Sequence, residues 1–328
     1  MPKILLKEDM RNPDFDSPQR AEVIDHLRQF GNIEFYAGEL TGEDADDVIG
    51  VIASGTLIHT DFYKRAIDLR IVARWGVGYE KTNIKIATDK GVFVTFAAEH
   101  LNTVAEYTVT QWLAALKRVY TLNQNSHAGD WTTMCSYEAE GSTLGLYGFG
   151  RIGQHVAQRV RPLIGNSGRL LVYDVRPDIE KLARKFGAET VNDPTSLFTE
   201  CDAVSLHVSG ADIIVRYAEL CAMKPHASLI NPSRGALVND EDVQRALAEN
   251  RLYYYIVDDP PNDTRAIHKD HPRVICTNHN AGLSAESTIR MDRKCADQTI
   301  DAIEGRKPEN ILNPDVLMHP RIASVLKP

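Results

Sequence analysis

Short β-branched runs that alternate with helix-patterned stretches predict a parallel α/β protein, and the chain length predicts two domains. At 328 residues the chain exceeds a single ordinary core, which takes ~100–200 residues. Hydrophobic residues make up 43% and charged residues 25%, the balance of a soluble globular protein.

The elements can be read in order. Residues 3–6 (Lys-Ile-Leu-Leu) spell a first strand. Ser17 followed by Pro18 spells a helix start, with Gly31 as its stop. Residues 48–53, 70–74 and 92–96 read as further strands with helices between them. Thr103-Val-Ala-Glu106 has the spelling of a capping box and opens an apolar-periodic helix to about Tyr120. This helix is expected to bridge to a second α/β series that begins at Thr143. Residues 253–255 read as a buried strand, and Trp112 as core. The tail from Arg290 is again helical and is expected to return to the first domain.

A formal charge of −8 argues against a nucleic-acid partner, which favours a basic face. The five cysteines, at 135, 201, 221, 276 and 295, form no CxxC pair, so reduced thiols are expected rather than a disulfide framework or a metal site. The first residues, MPKILLKEDM, are interrupted by charge before they reach the ~7–15 apolar residues of a secretory core. No run approaches the ~20 apolar residues of a membrane span. A cytoplasmic protein with a small-molecule substrate and no membrane partner is expected.

Residues 143–153 read Thr-Leu-Gly-Leu-Tyr-Gly148-Phe-Gly150-Arg151-Ile152-Gly153. The glycines fall between a strand-like run and a helical pattern. Gly148 would permit a tight turn, Gly150 the approach of a pyrophosphate, and Gly153 a helix–strand contact. Free N–H groups at the helix start favour the phosphates. A second strand ends at Asp174, about 20 residues past Gly153, where a carboxylate binds ribose hydroxyls and repels a 2′-phosphate. NAD is therefore the expected cofactor, and Arg176, two residues on, weakens the discrimination against NADP.

Two further turns carry chemistry. Arg234 follows the apolar run 229–231, and a guanidinium fork holds a carboxylate through paired hydrogen bonds. His279 follows the apolar run at 274–276; an unperturbed imidazole pKa of ~6.5 suits reversible proton transfer. Gly76-Val77-Gly78 reads as a turn, with Arg74 and Trp75 beside it.

These motifs, with Asn102-Thr-Val-Ala-Glu106, Gly129-Asp-Trp131, Met223-Lys-Pro225 and Asn231-Pro232-Ser233-Arg234-Gly235, arrive in the order of the D-isomer-specific 2-hydroxyacid dehydrogenases, and the chain resembles that family over nearly its whole length. The resemblance implies two Rossmann-like, doubly wound domains with a cleft between them, the nucleotide domain inserted in the substrate domain. Residues 1–101 and 293–328 would form the substrate (catalytic) domain and 102–292 the NAD-binding domain. It implies hydride transfer between nicotinamide C4 and substrate C2, with Arg234 on the carboxylate and His279 as general acid/base. His207, Pro232, Ser233 and Asp258 would join the glycine loop and Asp174 on the cofactor. Ser54, Gly55 and Trp75 to Gly78 would contact substrate, and a homodimer through the second domain follows from the same resemblance.

The sequence departs from the family where a glutamate usually pairs with the histidine. Asp263 falls at that position, with Asp259 the alternative if Pro260-Pro261 reshapes the loop. Asn278 and Asn280 flank His279 in place of the usual proline and apolar residue, and the loop after His207 is shorter. From the length a further regulatory domain is not expected, and the 54–56 loop has no arginine for a phosphate, so a small unphosphorylated acid is expected. The alternatives are an NAD(H)-sensing binding protein on the same scaffold, or a dehydrogenase of the formate or phosphite type.

Overall fold

The computed structural model describes all residues except 12, 13, 15, 80, 211, 263, 264, 327 and 328. The described chain divides into two compact units, Met1–His100 with Ser284–Pro328, and Leu101–Leu283.

Unit 1 holds a five-stranded parallel sheet. Its strands are β1 (Lys3–Lys7), β2 (Asn32–Tyr36), β3 (Val48–Ala53), β4 (Ile71–Trp75) and β5 (Phe93–Ala97), in the order β2-β1-β3-β4-β5. Every residue of β3 is buried, which explains its unbroken apolar run: a central parallel strand is covered on both faces. The helix Pro18–Arg28 begins as its sequence spells, with the Ser17 hydroxyl accepting from Arg20 N and proline in the first turn. Gly31 does not stop it in a left-handed conformation. Gln29 ends the helix, and Gly31 is needed for space, since a Cβ there would lie 2.9 Å from Pro2 O and 3.1 Å from Ile4.

The helix Ala285–Ile303 covers the same sheet. It packs on β3, β4, β5 and the helix Pro18–Arg28. Gly50 in β3 lets Thr299 approach closely, and Asp292 accepts from Arg20 Nε at 2.6 Å. The units divide at 283/284, the start of this helix; the expected boundary at 292/293 falls inside it.

Unit 2 holds a seven-stranded parallel sheet. Its strands are β6 (Thr143–Tyr147), β7 (Arg169–Tyr173), β8 (Glu189–Thr190), β9 (Ala203–Leu206), β10 (Ser228–Asn231), β11 (Tyr254–Val257) and β12 (Val274–Cys276), in the order β12-β11-β10-β9-β6-β7-β8. The strand order reverses between β6 and β9, the topological switch point where ligands bind such sheets. Trp112, Phe149, Val156, Val160 and Tyr254 lie in the core on one face, and Leu197, Phe198, Leu220 and Tyr255 on the other.

The bridging helix runs Leu101–Leu116 and starts two residues ahead of Thr103, so the Thr103–Glu106 spelling lies inside its first turns and is not an N-cap. Glu106 instead lies 3.5 Å from Arg159. Arg118, in a left-handed conformation, breaks the expected run to Tyr120 and starts a second helix, Val119–His127.

Candidate active site

The residues singled out in unit 2 lie at the C-terminal ends of its parallel strands. The loop after β6 supplies the glycines. Gly148 has φ 93°, and a Cβ there would come within 2.6 Å of His207 O, at the switch point. Gly153 sits in the first turn of the helix Arg151–Ile164, and its Cβ would lie 2.6 Å from Gly148 O. Gly150 differs: nothing lies within 4 Å of where its Cβ would be. Two glycines thus close the loop on itself, while the third faces open space at the helix N-terminus, where no side chain caps the amides. Ile152 is half-buried against the core and Arg151 is exposed. This cradle fits a pyrophosphate.

Asp174 follows β7. Its Oδ2 accepts from Phe149 N at 2.7 Å and its Oδ1 from Arg176 N at 3.0 Å and Arg176 Nε at 3.2 Å. Burial pushes its pKa up, but the two amides and the guanidinium outweigh burial and hold it below the ordinary carboxylate value. The carboxylate is therefore ionised and lies beside the glycine loop, as ribose binding requires. Arg176 also donates to Phe149 O at 2.7 Å, so it is folded back on the loop.

His207 follows β9. Both ring nitrogens are shut off from solvent without a hydrogen-bond partner among the described residues, and burial holds the pKa down at about 3. A neutral imidazole with unsatisfied nitrogens beside Gly148 fits a dinucleotide site.

After β10, residues 231–235 form a turn held by Asn231. Its Oδ1 accepts from Ser233 N at 3.1 Å and its Nδ2 donates to Arg234 O at 2.7 Å. Ser233 Oγ donates to Leu206 O at 2.8 Å, which ties the turn to β9. Arg234 Nη1 donates to Ser233 O at 2.8 Å, and Pro232 is half-buried.

After β11 and β12, Asp258 and the His279 turn form one assembly. Asp258 is 3% exposed. Its Oδ1 accepts from Thr277 Oγ1 at 2.6 Å and Asn280 N at 2.7 Å, and its Oδ2 from Ala281 N at 2.7 Å. Between those donors His279 is exposed and has φ 58°, a left-handed conformation uncommon outside glycine. Tyr107 Oη lies 2.7 Å from Thr277 Oγ1 and extends the assembly to the helix Leu101–Leu116. Expected beside the nicotinamide, Asp258 has both oxygens committed to this turn. Asp259 Oδ2 accepts from Gly235 N at 3.1 Å. Asp263 lies outside the described residues.

In unit 1, the turn at 75–78 is closed by Arg74, whose Nε and Nη2 donate to Gly78 O at 3.1 and 2.7 Å. Gly76 has φ 117°. Trp75 donates its indole N–H to the buried Asp292 at 2.8 Å. Val77 and Tyr79 are exposed. The Ser54–Thr56 turn follows β3, with Gly55 at φ 51°, Thr56 Oγ1 donating to Ser54 O and Tyr36 Oη donating to Thr56 Oγ1. Among the described residues no group of three or more His, Cys, Asp or Glu could hold a metal ion.

Sequence reasoning missed what Asn231 and Asp292 do. Asn231 was findable, because asparagine two residues before a turn amide is the spelling of an Asx turn. The Trp75–Asp292 contact joins residues remote in sequence and had no local signal.

Comparison with known proteins agrees with this geometry. Residues 109–281 match the family described as D-isomer specific 2-hydroxyacid dehydrogenase, NAD binding domain. A glyoxylate reductase of Korarchaeum cryptofilum is 32% identical over 292 residues, 84% of this chain and 85% of that protein. A D-3-phosphoglycerate dehydrogenase of Methanocaldococcus jannaschii is 29% identical over 311 residues, 90% of this chain; the match spans 58% of that longer protein. The apo-structure of D-lactate dehydrogenase from Escherichia coli superposes with a TM-score of 0.77 at 20% identity, covering 94% of this chain and 99% of that one, and shares its fold. Fold and site define an NAD-binding oxidoreductase of the doubly wound α/β class. The chain belongs to the D-isomer-specific 2-hydroxyacid dehydrogenase family, NAD-dependent enzymes that interconvert 2-hydroxy and 2-oxo acids.

Proposed function

We propose that the chain reduces a small unphosphorylated 2-oxo acid, with Arg234 binding the carboxylate and His279 as general acid/base. The observation that carries this reading is the convergence of the Arg234 turn, Asp258 and the His279 turn at the C-terminal ends of the adjacent strands β10, β11 and β12. The dinucleotide cradle lies on the same edge of that sheet.

Gly148, Gly150, Arg151, Ile152 and Gly153 are assigned to the pyrophosphate, Asp174 to the ribose, and His207, Pro232 and Ser233 to the nicotinamide end. Bound nicotinamide supplies the hydride that substrate C2 receives. The Arg234 guanidinium orients the substrate through its carboxylate and draws electron density from the carbonyl. Protonated His279 donates to the substrate O2 as charge develops there, and takes that proton back in the oxidative direction. Asp263 is the proposed partner of the imidazolium, a reading favoured by the engagement of Asp259 with Gly235. Asp258 holds the His279 turn. The backbone amides at 76–78 are the proposed second hold on the carboxylate, with Ser54 and Gly55 beside the substrate's remaining atoms.

Relatives named glyoxylate reductase and glyoxylate/hydroxypyruvate reductase support glyoxylate or hydroxypyruvate as substrate, and the 54–56 turn supplies no arginine for a phosphate. The test is loss of nicotinamide absorbance with glyoxylate, hydroxypyruvate and pyruvate in turn, NADH and NADPH run in parallel. Turnover with NADH and at least one acid is expected. Tight NADH binding with no turnover of any acid would reject the proposal in favour of a protein that senses the cofactor.

We also infer a cytoplasmic homodimer. Trp131 is 83% exposed and Tyr137 and Val119 are exposed beside it in sequence, so residues that packing would be expected to bury lie open on unit 2. Five free cysteines support a reducing compartment. No helix among the described residues is long and apolar enough to cross a membrane. Sedimentation at equilibrium is expected to give twice the chain mass.

A further inference from the structure

A buried charge network lies under the Arg234 turn. Arg265 is 4% exposed. Its Nη2 donates to Asp240 Oδ1 at 2.6 Å and to Tyr255 Oη at 3.2 Å, and its Nη1 lies 3.6 Å from Asp259 Oδ2. Asp240 Oδ1 also accepts from His268 Nε2 at 2.7 Å, whose other ring nitrogen faces Gln244 Nε2 at 2.9 Å. The Arg265 guanidinium thus stands between the Asp240 and Asp259 carboxylates.

The network touches the turn at Gly235. A Cβ on Gly235 would collide with Arg265 Nη1 and come within 2.5 Å of Asp259 Oδ2. The glycine is required for space rather than for its backbone angle. Asp259 joins the two, accepting from Gly235 N while facing the guanidinium. From the opposite side Asn231 holds the carbonyl of Arg234. The peptide that carries the Arg234 side chain is therefore clamped at its carbonyl by Asn231 and at the following amide by Asp259.

Stability alone does not account for this arrangement. Arg265 Nε and Nη1 are buried without a hydrogen-bond partner among the described residues. A buried cation with unsatisfied N–H groups costs stability compared with an apolar residue of the same volume. What the network supplies is a fixed position for the turn.

We propose that Arg265 and Asp259 are positioning residues that set the reach of Arg234 toward the substrate carboxylate. The proposal rests on the reading of Arg234 given above. It also assigns Asp259 to the arginine turn, leaving proton transfer at His279 to another carboxylate.

The experiment compares Asp259→Ala, Asp259→Asn, Arg265→Lys and Arg234→Ala as full-length enzymes. Steady-state rates with the fastest of glyoxylate, hydroxypyruvate and pyruvate are read across pH, with NADH binding followed by fluorescence. Asp259→Ala removes both contacts from a partly exposed position. It is expected to raise KM about tenfold, the loss of one charge-assisted hydrogen bond, with a smaller fall in kcat and with the kcat pH profile and NADH affinity little changed. Asp259→Asn keeps an acceptor for Gly235 N and is expected to recover most of that loss. Arg265→Lys, which keeps the charge and loses the fork, is expected to raise KM as well. A raised KM in Arg234→Ala with unchanged KM in both Asp259→Ala and Arg265→Lys overturns the proposal and leaves the Arg234 reading standing. A shifted kcat pH profile in Asp259→Ala, with KM unchanged, overturns it by making Asp259 the partner of His279. An unchanged KM in Arg234→Ala overturns the reading and the proposal together.

Discussion

Asp258 shows how one buried carboxylate can organise a turn. Its two oxygens take three hydrogen bonds from residues 277, 280 and 281, and the donors bracket His279. A left-handed φ at a residue with a side chain is strained, and those bonds oppose its relaxation. Asp258→Asn replaces an acceptor oxygen with a donor and sets it against an N–H or O–H. The expected result is a fall in kcat of about a hundredfold through misplacement of the imidazole, with NADH affinity nearly unchanged. Stopped-flow reduction and fluorescence titration separate the two; an unchanged kcat would show that the turn holds itself. At this scale the sequence places Arg234 and His279 just past the strands 228–231 and 274–276, where the structure also has them; their proposed roles rest on residue type and on the family resemblance. The occupation of Asp258 was not legible, since its partners lie about 20 residues downstream and are mostly backbone amides.

Among the elements, the strand–loop–helix at 143–164 is the most fully legible part of the site. Glycine spacing, the strand before it and the helix after it all agree, and each glycine has a separate geometric reason. Gly153→Ala would place a methyl 2.6 Å from Gly148 O. Backbone atoms there cannot yield cheaply, so a loss of about 1–3 kcal/mol of stability and at least a tenfold weaker NADH affinity are expected. Thermal melting with and without NADH measures both. Retained affinity and stability would mean that the loop can shift. The boundaries of the bridging helix were less legible. Thr103 and Glu106 fit the capping spelling, yet the helix begins at Leu101, because side-chain spelling competes with the tertiary packing of Val104, Ala105 and Thr108.

For the molecule as a whole, the alternation of patterns predicts parallel α/β domains and the helical tail a return to the first, while the doubly wound architecture and the insertion of one unit in the other were implied by the family resemblance. The division at 283/284 was not visible, since the helix Ala285–Ile303 belongs to unit 1 through contacts with β3, β4 and β5 that no local pattern announces. His207 gives unit 2 an acid sensitivity. The folded imidazole titrates near 3 and the unfolded one near ~6.5, so between those values only the unfolded chain gains a proton there. Stability is therefore full above the unfolded value and declines as pH falls through that window. Without cofactor, Tm is expected to drop from pH 6.5 toward 4, and less steeply in His207→Gln; equal slopes would assign the acid sensitivity elsewhere.

The helix Ala285–Ile303 also orders events on the ribosome. The sheet formed by residues 3–97 lacks this cover until residues 285–303 have been made, and Arg20 and Trp75 both wait for Asp292. Residues 101–283 are contiguous and emerge as a complete unit before that helix arrives. The strands of residues 3–97 are consequently covered only after the contiguous unit 101–283 has been made, and until then that face of their sheet stays apolar and open.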